Sequence, residues 1–438
     1  MSNYKPYPAY RPSGVEWIGD VPSNWEVARI KHTSSLRTDR CTEAPDGAQY
    51  IGLEDVESGT GQYRPAERSA RQNEDSTVGV FKSGDVLYGK LRPYLKKAIV
   101  SSTSGVCSTE FLVLQPKTVL AHWLHQWLLT TGVTQQIEAG CEGTKMPRAD
   151  WEHVGSIHVP SPDASEQAEI IAVLIRETKR IDSLITKKTR FVELLKEKRL
   201  ALITHAVTKG LDPNVKMRES GMDWIGAVPE HWKVGRLGDF CSSISTGPFG
   251  TALSSSEYVE DGVPVINPSH MNDGICVPDR RVAVSSETAI RLQFWTLAEG
   301  DLIVARRGEL GRAAIVSSNE VGWICGTGSM RLTPIFDKAV TAYLYSVLQS
   351  EYARAWLDRE SVGSTMPNLN ESLIGRLPVA IPSTVFEQVK LLTRLSELEK
   401  RIDQLVKKSQ RSIDLLKERR SAFITAAVTG QIDLRESV

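Results

Sequence analysis

The sequence predicts an α+β protein with two mainly β globular domains in tandem repeat, separated by two long antiparallel coiled-coil helices and related by a pseudo-two-fold axis. Three features of the 438-residue chain predict this arrangement. Short motifs recur in the same order in both halves. Each half opens with short β-branched runs that Gly, Pro, Asn and Asp interrupt. Each half closes with a long charged stretch whose apolar residues are spaced three and four apart, the period of an amphipathic helix.

The composition is that of a globular protein. Hydrophobic residues make up 41% and charged residues 24% of the chain, which excludes a disordered protein. Lys and Arg together number 53, as do Asp and Glu, so no net charge draws the chain to nucleic acid or membrane. Any such binding must therefore be local or shared with a partner.

The N-terminal sequence and the cysteine spacing indicate in which compartment the protein works and how its cysteines are used. The N-terminal stretch lacks the apolar core of a signal peptide, and no apolar run is long enough to span a bilayer, so we expect a cytoplasmic protein. The 6 cysteines never approach CxxC spacing and have no nearby histidine pair. We therefore expect reduced, mostly buried thiols and neither structural zinc nor a disulfide framework.

Each half opens with the same tryptophan motif. Residues 13–25 read "SGVEWIGDVPSNW" and residues 220–232 read "SGMDWIGAVPEHW". Aromatic side chains can stack on bases or pack inside a fold. Because these residues recur in both copies, we predict that they pack within a common fold or against a common partner. The residues are Trp17, Trp25, Trp224 and Trp232.

Further matches extend the repeat through the chain. The stretch "AIVSS" recurs, "GTKMP" is answered by "GSTMP", and "LLKEKRLALITHAVT" is answered by "LLKERRSAFITAAVT". Runs such as "GDVLYG" and "DLIVAR" predict strands, whereas "VLAHWLHQWLLTTG" and "AVTAYLYSVLQSEYARAWL" predict one or two helices in each half. The predicted boundaries are 1–163 for the first globular domain, 164–210 for a central helix, 211–384 for the second domain and 385–430 for a C-terminal helix.

Both helical stretches begin with a capping-box spacing. Asp163 precedes Glu166 by three residues, and Thr384 precedes Glu387 likewise. In a capping box the first side chain accepts a backbone N–H and the glutamate reaches back to the first residue. Each helix of roughly 35 to 40 residues would extend about 50 to 60 Å.

The apolar positions of the two helices follow matching heptads. We predict that they form a coiled-coil seam, antiparallel because the short linker at 211–219 favours a two-fold relation between the copies. The alternative, two ordinary surface helices, explains their length less well. The seam positions are Ile181, Leu184, Ile185, Val192, Leu195 and Leu202 in the first helix, and Ile402, Leu405, Val406, Ile413, Leu416 and Phe423 in the second.

The ordered set of motifs resembles the specificity subunit of a Type I restriction-modification enzyme. The resemblance covers essentially the full chain and rests on "EWIGDVPSNW" and "DWIGAVPEHW", "SGDVLYGKLRPYLKKA", the "GTKMP" and "GSTMP" turns, "SPDASEQAEI" and "PSTVFEQ", and "LLKEKR" and "LLKERR". It implies two target-recognition domains that each read one half of a bipartite double-stranded DNA sequence, held apart by the helices.

The resemblance also implies partners and cofactors. The chain would have no catalysis and no cofactor of its own. Two methyltransferase subunits that use S-adenosylmethionine would dock on it, and through them two restriction subunits that use ATP and Mg.

Cations mixed with aromatic or amide side chains mark candidate DNA contacts. Such side chains pair with phosphates and base edges. The alternatives are a solvated strand end with buried tyrosines and a plain proline-bearing turn. In the first half the candidates are Lys90, Arg92, Tyr94, Lys96, Lys97, Lys145 and Arg148, and in the second half Arg306, Arg307, Arg312, Asn368 and Asn370.

Catalytic motifs are missing from the sequence. The stretch "NPSH" at residues 267–270 lacks the second proline and the aromatic residue of an adenine-methyltransferase turn, and there is no GxxxxGK[ST] loop. We therefore expect no enzyme activity from this chain. A second function class stays open: a coiled-coil adaptor that brings two copies of a partner together without binding DNA would explain the duplication and the helices equally well.

Overall fold

The computed structural model describes residues 4–42, 47–65, 77–141, 146–361 and 368–437. Two compact units divide the chain. Unit 1 comprises Met1–Thr189 and Arg411–Val438, and unit 2 comprises Arg190–Gln410. Among the described residues, no helix combines the length and apolar character needed to cross a membrane.

The first half contains short strands and helices followed by one long helix. Its strands are β1 (Tyr4–Lys5), β2 (Tyr10–Pro12), β3 (Asp20–Pro22), β4 (Glu26–Arg29), β5 (Ser34–Arg37), β6 (Arg40–Cys41), β7 (Gln49–Ile51), β8 (Val78–Phe81), β9 (Val86–Gly89), β10 (Ala98–Val100), β11 (Gly105–Cys107), β12 (Phe111–Pro116) and β13 (His158–Ser161). Its helices are α1 (Ile30–Thr33), α2 (Ala121–Leu128), α3 (Thr131–Ala139), α4 (Trp151–Ser156) and α5 (Ala164–Lys209).

The second half repeats this order. Its strands are β14 (Met217–Glu219), β15 (Ala227–Pro229), β16 (Lys233–Arg236), β17 (Cys241–Thr246), β18 (Tyr258–Val259), β19 (Val263–Ile266), β20 (Met271–Asn272), β21 (Ile275–Cys276), β22 (Ala283–Val284), β23 (Leu302–Ala305), β24 (Ala313–Ile315), β25 (Ile324–Cys325), β26 (Ser329–Pro334), β27 (Pro378–Ile381) and β28 (Asp433–Ser437). Its helices are α6 (Ser286–Arg291), α7 (Thr341–Gln349), α8 (Glu351–Glu360), α9 (Glu371–Gly375) and α10 (Val385–Val428).

Matching sheets confirm the predicted tandem repeat. In unit 1 the order β5-β12-β9-β10 forms an antiparallel sheet, and in unit 2 the order β17-β26-β23-β24 forms its counterpart. A second sheet in each unit contains one parallel pair, β7 with β11 in unit 1 and β19 with β25 in unit 2. The duplicated motifs therefore encode a duplicated α+β fold.

The tryptophan motif lies in the core of each unit. Trp25 is 1% exposed in unit 1 and Trp232 is 2% exposed in unit 2, which confirms their predicted packing role. Trp17 stacks on Trp127, with ring centroids 5.6 Å apart. Trp224 packs partly against the unit 2 core. Each core also includes residues of both long helices. The motif therefore helps to join both helices to each unit.

The long helices run antiparallel within each unit, as predicted. Helix α5 has 46 residues and α10 has 44, which gives lengths of about 69 and 66 Å. In unit 1, Asp182 pairs with Arg420 at 2.9 Å, and Glu166, earlier on α5, pairs with Arg435 at 3.2 Å. In unit 2, Arg199 pairs with Glu399 at 3.2 Å. One cavity of that unit is lined by the end of α5 and the beginning of α10.

The predicted seam was wrong at two equivalent positions. Leu184 is 42% exposed and Leu405 is 45% exposed. Adjacent helical residues point about 100° apart, so residues 184 and 185 cannot both face one partner helix. Ile185, Leu202, Val406 and Leu416 are half-buried. The buried seam residues are Ile181, Val192, Leu195, Ile402, Ile413 and Phe423.

The capping-box prediction was half right in both helices. Asp163 accepts the backbone N–H of Glu166 at 2.9 Å, and Thr384 accepts that of Glu387 at 3.2 Å. Neither glutamate side chain accepts the backbone N–H of its capping residue, as a full capping box requires. Each carboxylate instead accepts the indole N–H of the last tryptophan of its motif, at 3.0 Å in both units. A buried indole N–H needs such a partner, which explains why this bond replaces the local one.

Candidate DNA interface

Two segments that the sequence singled out meet in unit 1. The strand-end loop follows β9 at residues 90–97, and the helix-entry turn precedes α4 at residues 146–150. Backbone hydrogen bonds join them: Ala149 donates to the carbonyl of Lys90 at 2.9 Å, and Arg92 donates to that of Pro147 at 2.9 Å. Loop and turn therefore form one surface.

The equivalent segments meet in the same way in unit 2. There the strand-end loop comprises residues 306–312, after β23, and the helix-entry turn comprises residues 368–370, before α9. Leu369 donates its backbone N–H to the carbonyl of Arg306 at 2.9 Å, and Arg307 forms an antiparallel bridge with Asn368. Leu91 and Arg148 form the matching bridge in unit 1.

Arg92 and Tyr94 are exposed candidates in the unit 1 loop. Both are exposed, Tyr94 by 49%. Arg92 has a positive φ of 53°, in the left-handed region that a non-glycine residue rarely adopts. Among the described residues, no side chain pairs with its guanidinium. This leaves its donors available to a phosphate or a base.

Two other cations of the unit 1 loop have partners within the protein, and a third is half-buried. Lys96 donates to the Thr131 hydroxyl at 2.9 Å, and Lys97 donates to the carbonyl of Leu53 at 2.6 Å. Burial lowers the pKa of Lys90. These lysines are therefore less available to DNA than Arg92 is.

The unit 1 turn is less accessible to DNA than its sequence suggests. Arg148 is exposed but forms an ion pair with Glu110. Lys145, which we predicted as a contact, lies outside the described residues. Asp150 accepts the backbone N–H of His153 at 2.8 Å and so caps α4. The turn thus positions Arg148, and its last residue, Asp150, caps α4.

In unit 2 the exposed candidates are Arg307, Asn368 and Asn370. Within the described part of the chain, no side chain pairs with the guanidinium of Arg307. Arg312 pairs with Glu309 at 2.7 Å, and Arg306 donates from Nε to the carbonyl of Leu369 at 3.0 Å. Asn370 accepts the backbone N–H of Leu373 at 2.8 Å, so its Oδ1 caps α9 and a bidentate contact with adenine would break the cap.

Sequence reasoning missed Phe249, which lies beside these residues. The guanidinium of Arg306 lies 6.0 Å from the centroid of its ring, and the residue is 63% exposed. The only local signal is the "GPFG" stretch after β17, where two glycines and a proline make a turn around an aromatic residue. A lone phenylalanine usually indicates a core position, so its exposure could not be inferred from the sequence.

Comparison with known proteins identifies a specificity domain. The family model for the Type I restriction modification DNA specificity domain matches residues 229–414. The Type I restriction enzyme MjaVIII specificity subunit of Methanocaldococcus jannaschii is 21% identical over 434 residues, which are 95% of this chain and 94% of that protein. The EcoDI specificity subunit of Escherichia coli is 27% identical over 156 residues, only 35% of either chain.

Two solved structures share the fold. A chain from a structure of the type I R-M system, determined for its complex assembly and conformational transition, has a TM-score of 0.70 at 18% identity and covers 93% of this chain and 98% of its own. The HsdS subunit of Thermoanaerobacter tengcongensis has a TM-score of 0.53 at 17% identity and covers 94% and 98%. The chain therefore resembles the specificity subunits of Type I restriction-modification enzymes along its whole length, and its residues 229–414 match the family model of their DNA specificity domain.

Proposed function

We propose that this chain recognises the DNA target of a Type I restriction-modification system and that each unit reads one half of a bipartite site. The single observation that best supports this is the repeated meeting of strand-end loop and helix-entry turn. The backbone framework is the same in both units, whereas the exposed side chains differ: Arg92, Tyr94 and Arg148 in unit 1, and Arg307, Asn368 and Asn370 in unit 2. A shared framework with different tips suits two different half-sites.

The chemistry of the exposed residues fits base and phosphate contacts. An arginine fork can pair with O6 and N7 of guanine or with two phosphate oxygens, and an asparagine amide can pair with adenine. Within the described parts of the loops and turns, Arg92 and Arg307 are the exposed cations without a side-chain partner. The bulk charge balance of the chain agrees with this, because the remaining phosphate contacts would come from partner subunits.

The helices, in this proposal, set the gap between the half-sites. Helix α5 belongs to unit 1 up to Thr189 and to unit 2 from Arg190, and α10 passes between the units at Gln410. A continuous helix rises by about 1.5 Å per residue, so its length is a fixed spacing. Bases within the gap would not be read.

Exposed leucines at equivalent positions suggest where partners dock. Leu194 and Leu415, from the repeated "LLKE" motif, are 46% and 47% exposed. Leu184 and Leu405 are 42% and 45% exposed. Repeated apolar positions on two helices suit two copies of one partner. We propose that these are methyltransferase subunits, that two restriction subunits join through them, and that S-adenosylmethionine, ATP and Mg are bound by those partners and not by this chain.

A gel-shift experiment tests the proposal against the adaptor alternative. The chain would be mixed with DNA in moderate salt, with and without co-expressed methyltransferase, and the mass of the complex would be measured. We expect a sequence-dependent shift that is strongest with the partner, a two-to-one complex, and no methylation by the chain alone. A coiled-coil adaptor would give no sequence-dependent shift in either case.

The cytoplasmic location stays a prediction from the sequence.

A further inference from the structure

The loop that carries Phe249 is held firmly at its first residue. Thr246 donates from its backbone N–H and from its hydroxyl to Oε1 of Glu371, at 2.7 and 3.0 Å. Its carbonyl accepts the indole N–H of Trp295 at 2.8 Å. Because Glu371 directly follows the helix-entry turn of unit 2, these bonds fix the loop against the candidate interface.

Close backbone packing holds the next two residues. Gly247 donates to the carbonyl of Ser329 at 2.9 Å, and a Cβ at this position would collide with the carbonyl oxygen of Gly326. Only glycine permits this approach. Gly247 and Pro248 are both buried. The loop therefore presents Phe249 from a fixed base.

A fixed loop that exposes a phenylalanine is unfavourable in the isolated chain. Phe249 is 63% exposed to water, so the chain lacks the stabilisation that burial of its ring would provide. Arg306 forms a cation–π contact with the ring, and its own Nε is bonded to the carbonyl of Leu369, so the two side chains are held together. The ring thus lies against Arg306, which directly precedes Arg307 in the strand-end loop of the candidate interface.

The chemistry of the ring limits what it can contact there. A phenyl group has no hydrogen-bonding atom, so it cannot pair with a phosphate or with the polar edge of a base. On DNA it can stack on an exposed base face or pack against the methyl group of thymine. Both are apolar contacts with a base.

We propose that Phe249 makes an apolar contact with one base of the half-site that unit 2 reads. This inference rests on the proposed function of the chain as a DNA-recognition subunit. In unit 1 the residues that follow β5, at positions 38–47, read "TDRCTEAPDG" and contain no aromatic side chain. The contact is therefore specific to one half-site.

Three variants of the full chain, co-purified with its methyltransferase, test this inference. The probe is a duplex containing the target found by mapping modified adenines in the host genome. Phe249→Ala should weaken binding about 5-fold to 150-fold, the range for loss of a base–aromatic contact, whereas Phe249→Trp should retain most of the affinity. Phe336→Ala is the matched control. Phe336 is also 63% exposed, but it packs at Gly300. Gly300 precedes the first residue of β23, whereas the candidate interface follows the last residue of β23.

Modified bases identify the contact itself. Replacement of one thymine by deoxyuridine, which lacks the methyl group, should weaken binding of the wild type but not of Phe249→Ala if the ring packs on a methyl group. If the ring stacks, 2-aminopurine at one position of the half-site should fluoresce more strongly with the wild type than with Phe249→Ala. One of these two results is expected.

Three results would overturn the inference. Phe249→Ala could bind as tightly as the wild type, it could lose affinity equally for unrelated DNA, or it could keep its DNA affinity while losing the methyltransferase, which would assign the ring to a protein contact. A wild-type complex without any sequence preference would instead contradict the proposed function itself.

Discussion

Glu166 and Glu387 occupy equivalent positions at the beginnings of the two long helices but differ in burial. The Glu166 side chain is 5% exposed, accepts hydrogen bonds from Tyr7, Asn24 and Trp25, and forms an ion pair with Arg435 at 3.2 Å. Burial, and then the bond to Glu166, raises the pKa of Tyr7, so its hydroxyl stays protonated and donates. The Glu387 side chain is 33% exposed and accepts from His231 and Trp232 only, among the described residues.

This difference predicts unequal effects on stability. Glu166→Ala should cost about 3 kcal/mol of unfolding free energy, because it leaves several buried donors without their acceptor and removes one of the two carboxylates that pair with Arg435. Glu387→Ala, its matched control, should cost about 1 kcal/mol because water can reach the donors. Urea unfolding followed by tryptophan fluorescence measures both. Equal losses would contradict the role assigned to Glu166.

A second residue-scale prediction concerns Arg307. Because its guanidinium is exposed and has no side-chain partner among the described residues, Arg307→Ala should lower the affinity for target DNA by about 1 to 3 kcal/mol, with the loss confined to one base pair of one half-site. Arg312→Ala is the comparison, and it should lose less because Arg312 is paired with Glu309. Binding titrations against single-base variants of the target decide the matter. A uniform loss with a smaller salt slope would make Arg307 a phosphate contact and not a base reader.

At the scale of elements, periodicity and repetition were sufficient to predict the helix pair and the recurrence of the loop and turn segments, but not that loop and turn meet in each unit. They did not predict which of the adjacent residues Leu184 and Ile185 faces the seam, because heptad counting places both on one stripe. The partners of Glu166 also escaped prediction, since Tyr7 and Arg435 lie far from it in sequence. The cap formed by Asn370 was missed for a different reason: its amide suits both adenine and a helix N-terminus, and only the structure distinguishes the two.

The helices also predict a change in the DNA gap. Seven residues would be inserted into α5 between Thr189 and Arg190 and seven into α10 between Gln410 and Arg411, where each helix passes from one unit to the other. One heptad keeps the seam in register and adds about 10 Å, so the preferred gap should grow by about three base pairs. Methylation of plasmids that differ only in gap length measures this.

Two results would contradict the spacing role of the helices. The insertion mutant could remain active at the original gap, or it could change its preference for a base within a half-site. A variant in which seven exposed helix residues are replaced without insertion is the control, and it should keep the original gap.

At the scale of the whole molecule, two copies of one fold act as separate readers in the proposed function. A matching four-stranded antiparallel sheet, the same tryptophan–glutamate bond and the same meeting of loop and turn occur in both units. The residues at the tips differ, and Phe249 has no aromatic counterpart in the equivalent stretch of unit 1. Each copy should therefore carry its own sequence preference.

The most direct test of this claim exchanges one reader. Residues 211–382 would be replaced by those of a related specificity subunit, and modified adenines would be mapped by single-molecule sequencing in cells that carry the wild type or the chimera. The account predicts a bipartite motif in which one half changes while the other half stays the same. A chimera that alters both halves, or a wild type whose motif is not divided into two parts, would contradict it.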